Sequence, residues 1–265
     1  MFNKIKSLFS NTQKNNTITL SIKNLDDIKY FSVAKKIFEC FENQNKNYEL
    51  QLVGGCVRKL ISGEKIDDMD IAINIEPANV KKILIEKKIQ FFETGIQHGT
   101  ITAIIDNFKF EITSLRKDIS TDGRHAKIEF TTDWLEDANR RDFTVNAIYS
   151  NLRGEVYDPL GGLNDLKNGI IKFIGDPDKR IKEDYLRILR YLRFYTQYSN
   201  HQHSNESVIA INKNLDGITK ISKERIIDEF FKILTLNNFV DLFKDKFSST
   251  IIKTIFPQLK YYDRL

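Results

Sequence analysis

A double glycine followed by an arginine and two alternating aspartates, all within Val53–Ile73, constrains the fold of this chain most strongly. Gly54 and Gly55 come directly after the short apolar strand expected at 51–53. Glycine adopts backbone conformations that other residues avoid, and it lets a bound group approach the main chain closely. The residues after the glycines predict a helix, whose first N–H groups have no partner within the helix and can bind an anion. The segment therefore predicts a strand, a tight turn and a helix start that together form an anion-binding site, with Arg58 adding a charged fork.

The aspartates that follow predict a metal site. Asp68 and Asp70 lead into the apolar run 71–73. Because side chains alternate along a strand, both carboxylates are expected on one face of a strand here, with Asp67 and Met69 on the other. Two hard oxygen ligands on one rigid edge can hold Mg²⁺ against phosphate groups. Taken alone, such an acidic cluster is more often a solvated turn.

Four later segments extend this pattern of arginines, carboxylates and glycines. They are Asp137–Ser150, Val156–Leu166, Phe173–Phe194 and Ile221–Phe230. With the first segment and in this order, they resemble the successive motifs of the class II tRNA nucleotidyltransferase (CCA-adding enzyme) and bacterial poly(A) polymerase family. The first segment also resembles the active-site signature of the DNA polymerase β-like nucleotidyltransferases. The resemblance covers residues 52–234, and five ordered motifs are more specific than any one of them.

The resemblance implies an α+β fold, with a polymerase β-like nucleotidyltransferase head built on a mixed sheet and an all-helical neck after it. The expected boundaries are a disordered tail over 1–20, a catalytic head over 21–160 and a nucleotide-selecting, RNA-binding neck over 161–265. The implied activity is template-independent addition of C and A nucleotides (CCA) to the 3′ end of tRNA, from CTP and ATP, by two-metal transfer with Mg²⁺. The alternatives are a poly(A) polymerase, a partial enzyme that adds only CC or only A, and a non-catalytic RNA-binding module.

The resemblance also implies roles for individual residues. Asp68 and Asp70 are the expected catalytic metal ligands, and Glu111 is either a third metal carboxylate or an exposed strand residue. Arg141 is expected at the triphosphate and Asp142 at the ribose hydroxyls, although Arg140, Arg141 and Asp142 also suit a charged helix start with a capping aspartate. The predicted nucleotide-binding residues are Gly54, Gly55, Arg58, Arg141, Asp142, Asn146, Asp184, Arg187, Arg190 and Arg193, with Asn146 expected one helical turn beyond Asp142.

The stretch Glu183–Arg193 predicts the substrate. It lacks proline and glycine and repeats leucine at helical spacing, so an amphipathic helix is expected, on which Asp184 and Arg187 are surface neighbours. Cytosine and adenine both present an amine donor beside a ring-nitrogen acceptor, which a carboxylate and a guanidinium can match, whereas guanine and uracil present the reverse order. A plain intrahelical salt bridge is the alternative. Arg190 and Arg193 are assigned to phosphate or to the RNA end.

Elsewhere, apolar spacing predicts helices over Asp26–Asn43 and Pro77–Lys88. Alternation of apolar and polar residues predicts strands over Ile101–Ile105 and Phe108–Ser114, joined by an Asp-Asn turn. The segment Asp158–Gly162 predicts a turn in which no side chain does chemistry, and which serves as the hinge between head and neck.

A polar segment, Arg116–Lys127, is expected to be a flexible loop. Its predicted functional residues are Arg116, Asp122 and Arg124. CCA-adding enzymes use such a loop in switching from C to A, so its presence disfavours an enzyme that adds only CC.

Composition agrees with these predictions without deciding between them. A net charge of +5 and a pI near 8.9 favour a polyanionic partner such as RNA. Cys40 and Cys56 lack metal-ligand spacing and indicate a reducing cytoplasm, and the four histidines form no zinc set. No apolar run approaches the roughly 20 residues of a membrane span. Met1–Asn16 is basic and rich in Ser and Asn, which suits a disordered tail or, alternatively, an organellar presequence.

The chain departs from the family at two points. Lys59 follows Arg58 where the family usually has aspartate, which is expected to alter the orientation of Arg58. Family members continue through a helical body and tail that grip tRNA, whereas this sequence ends at Leu265. A truncation, a reduced natural form and a different way of holding RNA remain open, and the lack of a long basic extension disfavours a poly(A) polymerase.

Overall fold

The computed structural model describes residues 25–42, 47–121, 126–199 and 201–259. The chain divides into two compact units, one that ends at Lys167 and one that begins at Asn168 and includes the short stretch Ser120–Ala126. The tail predicted over 1–20 lies outside the described residues, as do Asp122 and Arg124 of the predicted loop.

The first unit alternates helices with the strands of a mixed sheet. Its first half consists of α1 (Leu25–Glu42), β1 (Leu50–Val53), α2 (Gly55–Ser62), β2 (Met69–Ile73), α3 (Pro77–Glu86), β3 (Gln90–Gly95), β4 (Thr100–Ile105) and β5 (Phe108–Ser114). Its second half consists of β6 (Arg116–Thr121), β7 (Ala126–Phe130), α4 (Trp134–Asn139), β8 (Tyr149–Ser150), β9 (Val156–Tyr157) and α5 (Gly162–Asn168), with short 3₁₀ turns at Ile96–His98 and Thr144–Asn146.

Among the described residues, seven strands form one sheet in the order β3-β4-β5-β2-β1-β8-β9. Strand β2 runs parallel to β5 and antiparallel to β1, so the sheet is mixed, as the sequence predicts. In the parallel pair, Asp70 lies opposite Glu111 and Ile71 opposite Ile112. Helix α2 packs on β1 and β2, and α3 packs on β3 and β4. Ile71 and Ile112 are buried in the resulting core, which holds the polar edge of β2 in a fixed register.

Several local predictions are confirmed. Helices α1 and α3 occupy the expected segments, and β4 and β5 form the expected hairpin. Asp106 and Asn107 connect them with positive φ angles of 50° and 66°, as a two-residue turn between twisted strands requires.

The predicted loop over Arg116–Lys127 is wrong for its described part. Arg116–Thr121 and Ala126–Phe130 are strands β6 and β7, which pair with each other in a separate two-stranded sheet. The polar side chains of this segment suggested a loop, yet polar residues are acceptable in a two-stranded ribbon because much of its surface faces water.

After Asn168, every regular element in the described part of the second unit is a helix, as predicted. Its helices are α6 (Pro177–Glu183), α7 (Arg187–Tyr198), α8 (Asn205–Asn214), α9 (Lys223–Leu234), α10 (Phe239–Lys244) and α11 (Lys246–Ile255), with a 3₁₀ turn at Leu215–Lys220. Helix α7 packs against α9 and α10, and α6 packs against α8. Phe173 stacks on Tyr191 with 5.5 Å between ring centroids, and both are buried.

The prediction of a single amphipathic helix over Glu183–Arg193 is wrong. Helix α6 ends at Glu183, Asp184 is extended with φ −156° and ψ 105°, and α7 begins at Arg187. The Asp184 carboxylate accepts the N–H of Leu186 at 3.2 Å, and its carbonyl accepts the N–H of Arg187 at 3.0 Å. Aspartate competes with the helix for backbone hydrogen bonds in this way, so it interrupts a pattern whose apolar spacing continues.

No helix in the described part of the chain is long and apolar enough to cross a membrane. Cys40 and Cys56 are free thiols, and burial raises the pKa of the Cys56 thiol to about 12, so this cysteine stays protonated. The predicted cytoplasmic location stays a prediction.

Candidate active site

The glycine turn of the first unit has the conformation that the sequence predicts. Strand β1 ends at Val53, Gly54 has φ +70°, and α2 begins at Gly55. A Cβ atom on Gly54 would lie 3.6 Å from Nη1 of Arg141 and 3.8 Å from the carbonyl of Asn146, whereas a Cβ on Gly55 would meet nothing within 4 Å. The turn therefore contacts a distant motif on one side and faces open space on the other.

The carboxylates gather beside this turn. Strand β2 begins at Met69, so Asp68 lies just before the strand and only Asp70 lies on it, which corrects the prediction that both are strand residues. Burial, together with the negative charges of Asp68 and Glu111, raises the pKa of Asp70 to about 6. The thiol of Cys56, on α2, lies 3.7 Å from the carbonyl of Asp70 and joins the helix to the strand.

The same carboxylates suit a divalent cation. Within the described residues, no group of three or more His, Cys, Asp or Glu side chains is already arranged as a metal site. Nevertheless the donors are carboxylate oxygens, which Mg²⁺ prefers. The raised pKa of Asp70 reflects burial and repulsion between negative charges, and a bound cation would relieve that repulsion.

Arg58, Asn146 and Asp142 form a buried hydrogen-bond chain. Arg58 Nη1 donates to Asn146 Oδ1, Asn146 Nδ2 donates to Asp142 Oδ1 at 2.7 Å, and the N–H of Phe143 donates to the same oxygen at 2.8 Å. The contact between Asp142 and Asn146 was expected from one turn of α-helix. The structure achieves it through a 3₁₀ turn at Thr144–Asn146 instead.

A second buried cluster is centred on Asp137. The Asp137 carboxylate is 1% exposed and accepts hydrogen bonds from Arg140 Nε at 2.8 Å, Arg141 Nη2 at 3.0 Å and the Tyr149 hydroxyl at 2.7 Å. Burial alone would raise the pKa of Asp137, but the two arginines and the tyrosine hold it well below its ordinary value. Arg141 also donates from Nη1 to the Asn146 carbonyl at 3.5 Å, so the two clusters are connected.

The Asp137 cluster corrects one interpretation and adds residues that the sequence did not reveal. Arg140–Asp142 is not a helix start, since α4 begins at Trp134 with Asp133 as its N-cap and ends at Asn139. Asp137 and Tyr149 were missed. The spacing of four residues between Asp137 and Arg141 is the signal that could have identified the first of them.

Arg116, at the start of β6, lies beside this cluster. Burial, together with the positive charge of Arg140, lowers the pKa of its guanidinium to about 10. Its backbone N–H donates to Asp137 Oδ1 at 3.4 Å. The positive charge of this region therefore exceeds what Asp137 alone neutralises.

The segment Asp158–Gly162 has a structural role that the sequence interpretation did not include. Asp158 accepts the N–H groups of Gly162 at 2.8 Å and Leu163 at 2.9 Å, and so caps α5. A Cβ on Gly162 would lie 2.0 Å from the carbonyl oxygen of Thr144, so only glycine allows this approach. The predicted hinge between head and neck stays a prediction.

In the second unit, Asp184 and Arg187 do not bind each other through their side chains, which excludes the intrahelical salt bridge considered as the alternative. Asp184 Oδ2 accepts from Arg225 Nη2 at 2.8 Å. Arg187 Nη1 donates to Glu183 Oε2 at 2.5 Å and to the carbonyl of Arg180 at 2.6 Å. The interruption of the helix at Asp184 separates the two side chains, so each takes another partner. Glu183 and Arg225 were missed, although Arg225 lies within the last motif of the sequence.

The other two predicted arginines of this unit lie farther along α7. Arg193 Nε donates to Glu229 Oε1 at 2.5 Å, and its guanidinium lies 4.2 Å from the ring centroid of Phe194. The guanidinium of Arg190 lies 5.7 Å from the same centroid. Their predicted contact with phosphate or RNA stays a prediction.

Two family models match the chain. Residues 50–172 match the Poly A polymerase head domain, and residues 204–263 match the model described as the probable RNA and SrmB-binding site of polymerase A. The chain belongs to the class II tRNA nucleotidyltransferase and poly(A) polymerase family. The first model includes the glycine turn, the carboxylates and the Asp137 cluster, and the second includes Arg225 and Glu229.

Three relatives illustrate the similarity. The CCA tRNA nucleotidyltransferase 1, mitochondrial, of Danio rerio is 44% identical over 74% of this chain and 46% of its own length. The CCA-adding enzyme of Lactobacillus delbrueckii subsp. bulgaricus is 37% identical over 84% of this chain and 55% of its own length. The crystal structure of the Bacillus stearothermophilus CCA-adding enzyme in complex with CTP has a TM-score of 0.71 and 29% identity, over 88% of this chain and 53% of that one. This chain thus spans about half the length of the relatives that it matches.

Proposed function

We propose that this chain adds C and A nucleotides to the 3′ end of tRNA without a template, using CTP and ATP. The observation that carries the proposal is the convergence, in one unit, of an open glycine turn at the start of a helix, a carboxylate cluster and a buried set of arginines. Nucleotidyl transfer must bind phosphate groups and a divalent metal ion. The glycine turn and the arginines suit the phosphates, and the carboxylates suit the metal. The relatives, which are a CCA tRNA nucleotidyltransferase and a CCA-adding enzyme, support the same activity.

Asp68 and Asp70, with Glu111 as a third carboxylate, are proposed to hold Mg²⁺. When bound, the ion activates the 3′ hydroxyl of the RNA and shields the charge of the leaving pyrophosphate. The protein's contribution is to fix Asp70 and Glu111 on adjacent strands, where they share one register position, with Asp68 just before the first of these strands. Their positions are then set before a substrate arrives, which avoids reorganisation during transfer.

The glycine turn is proposed to bind the triphosphate. Helix α2 begins at Gly55, beside which a Cβ atom would meet nothing within 4 Å, and the unpaired N–H groups and dipole of a helix start favour an anion. Arg58 and Arg141 add positive charge near this turn, although their guanidinium groups already bind Asn146 and Asp137. We therefore assign them a mainly electrostatic role, with Asn146 orienting Asp142 so that its carboxylate accepts from the ribose hydroxyls.

The second unit is proposed to select the base and to bind RNA. Asp184 offers an acceptor for the amine of cytosine or adenine, and Arg187 offers a donor for the neighbouring ring nitrogen. In the structure these groups bind Arg225 and Glu183, so a base would replace those partners. Such an exchange is feasible because Asp184, Glu183 and Arg225 keep part of their side-chain surface in contact with water.

Poly(A) addition is the second candidate, favoured by the description of the head-domain family model. An experiment that separates the candidates offers tRNA lacking its 3′ CCA with each nucleotide singly and with all four together, and then sequences the product ends. We expect ends that stop at CCA. A run of A would support a poly(A) polymerase, ends at CC or a single A would support a partial enzyme, and no product would exclude catalysis by this chain.

Two matched variants control this assay. Asp70→Asn removes one proposed metal ligand and should lower the rate at least a thousand-fold. The ion lowers the activation free energy by several kcal/mol, and about 1.4 kcal/mol corresponds to a factor of ten in rate. Asp106→Asn makes the same chemical change in the exposed turn between β4 and β5 and should keep full activity.

A further inference from the structure

Lys59 lies between two aspartates at the edge of the carboxylate cluster. It belongs to α2, and its side chain is only 19% exposed. Its Nζ lies 2.9 Å from Asp67 Oδ2 and 3.3 Å from Asp68 Oδ1. The lysine thus bridges α2 to the segment that leads into β2, and one of its two partners is a proposed metal ligand.

An ammonium group in this position neutralises charge that a divalent ion would otherwise neutralise. Asp68 and Glu111 both place negative charge near Asp70, and the positive charge of Lys59 also reaches Asp70. An ion that binds Asp68 must therefore displace the ammonium from Oδ1 or accept a like charge within a few ångströms. Either change weakens ion binding relative to a site without the lysine.

We propose that Lys59 is a positioning residue that holds Asp68 in the metal-free protein and sets the affinity of the site for a divalent ion by competing with it. The inference rests on the proposed function, because it takes Asp68 and Asp70 as metal ligands. It explains how a cluster of carboxylates stays ordered before the ion binds. It also gives a role to a residue that departs from the family pattern.

A purely structural role is the contrasting explanation. In that case Lys59 would tether the segment before β2 through Asp67, whose contact is the shorter of the two. Loss of Lys59 would then lower stability and leave ion affinity unchanged. Ion affinity, measured without nucleotide or RNA, separates the two explanations.

The experiment measures Mn²⁺ binding to the full chain by the loss of the free-ion electron paramagnetic resonance signal. We expect Lys59→Gln to bind Mn²⁺ about thirty-fold more tightly than the wild type, as expected when one unit charge is removed at about 4 Å from a divalent ion in water. Lys59→Arg keeps the charge and should resemble the wild type. Lys81→Gln is the matched control, because it breaks a lysine–glutamate pair of 2.6 Å in the same unit, away from these carboxylates.

Equal or weaker Mn²⁺ binding by Lys59→Gln would overturn the inference while leaving the proposed function intact. Absence of binding by the wild type, or binding that Asp70→Asn does not weaken, would overturn both. A second measurement uses only the wild type, so it does not depend on whether a variant folds. Labelling of Lys59 by an amine-reactive reagent, followed by mass spectrometry, should rise when Mg²⁺ is added, while labelling of Lys81 stays constant. Unchanged labelling of Lys59 would also contradict the inference.

Discussion

The Asp137 cluster of the first unit and the Asp184 segment of the second use the same chemical pair, arginine with carboxylate, in opposite ways. Asp137 is 1% exposed and binds two arginines and a tyrosine at once. Asp184 and Arg225 keep 19% and 30% of their side chains exposed, and Arg187 binds Glu183, which is 29% exposed. One carboxylate is enclosed by its partners, and the other remains accessible to an incoming group.

This difference in exposure distinguishes a structural ion cluster from side chains whose partners a ligand can replace. Removal of one partner from an enclosed ion cluster leaves buried charges unpaired, whereas a partly exposed pair can be replaced by water at little cost. A base that enters the second unit can therefore take the place of Arg225 and Glu183 without disrupting the fold. We infer that the Asp137 cluster holds the first unit in shape and that the Asp184 segment recognises the nucleotide.

Removal of the Asp137 carboxylate should produce the largest change in stability. Asp137→Ala leaves two largely buried guanidinium groups without their shared partner, so we expect a loss of about 3–5 kcal/mol in the free energy of unfolding. Urea denaturation followed by circular dichroism measures this. A loss below about 1 kcal/mol, which is the range of an exposed ion pair, would contradict the distinction between the Asp137 cluster and the Asp184 segment.

The pH dependence of stability sharpens the same prediction. The folded-state pKa of Asp137 lies below its unfolded value, so its stabilising effect is complete above the unfolded pKa and disappears as pH falls toward the folded one. Asp137→Asn should therefore differ most from the wild type near neutral pH. The difference in unfolding free energy should shrink as the pH falls below about 4, the ordinary pKa of aspartate. A difference that stays constant down to pH 2.5 would contradict the assigned charge state.

Glu229 tests whether the burial of a carboxylate, and not the unit in which it lies, determines its contribution to stability. It lies in the second unit but is 2% exposed, and it accepts from Arg193 Nε at 2.5 Å. Glu229→Ala should lower the free energy of unfolding by about 1.5–3 kcal/mol, the range of a hydrogen bond to a charged group. The same denaturation assay applies. If this variant is as stable as the wild type, side-chain exposure does not explain the difference between the Asp137 cluster and the Asp184 segment.

Asp184→Ala should have the smallest effect on stability. Its ion pair with Arg225 is partly exposed, so we expect a change of about 0–1 kcal/mol in the same assay. A loss near that of Asp137→Ala would instead assign Asp184 to the scaffold.

The sequence predicts the fold better than it predicts the partners of the site residues. Strand, turn and helix positions around Gly54 follow from local chemistry, because glycine spacing and apolar alternation act over a few residues. The Asp106-Asn107 turn was predicted for the same reason. Pairings such as Arg225 with Asp184 join residues that are 41 positions apart, and no local pattern specifies them.

The errors also have a common physical origin. Asp184 interrupts a helix although its neighbours keep helical apolar spacing, since a short polar side chain can offer the backbone another hydrogen bond. Arg116–Thr121 forms a strand although its polar composition suggested a loop. In both places the composition or spacing suggested one local structure, and hydrogen bonds that these patterns do not specify selected another.

Nucleotide selectivity of an Arg187 variant tests most directly whether the Asp184 segment recognises the base. The measurement compares incorporation of CTP, ATP, UTP and GTP into tRNA lacking its CCA by the wild type, Arg187→Ala, and Arg153→Ala as an exposed arginine control from the first unit. Loss of Arg187 leaves the ring nitrogen of cytosine or adenine unpaired, which costs about 1–3 kcal/mol. We predict that discrimination against UTP and GTP falls by about one to two powers of ten in Arg187→Ala only. Full selectivity at a lower overall rate would contradict base recognition by this segment.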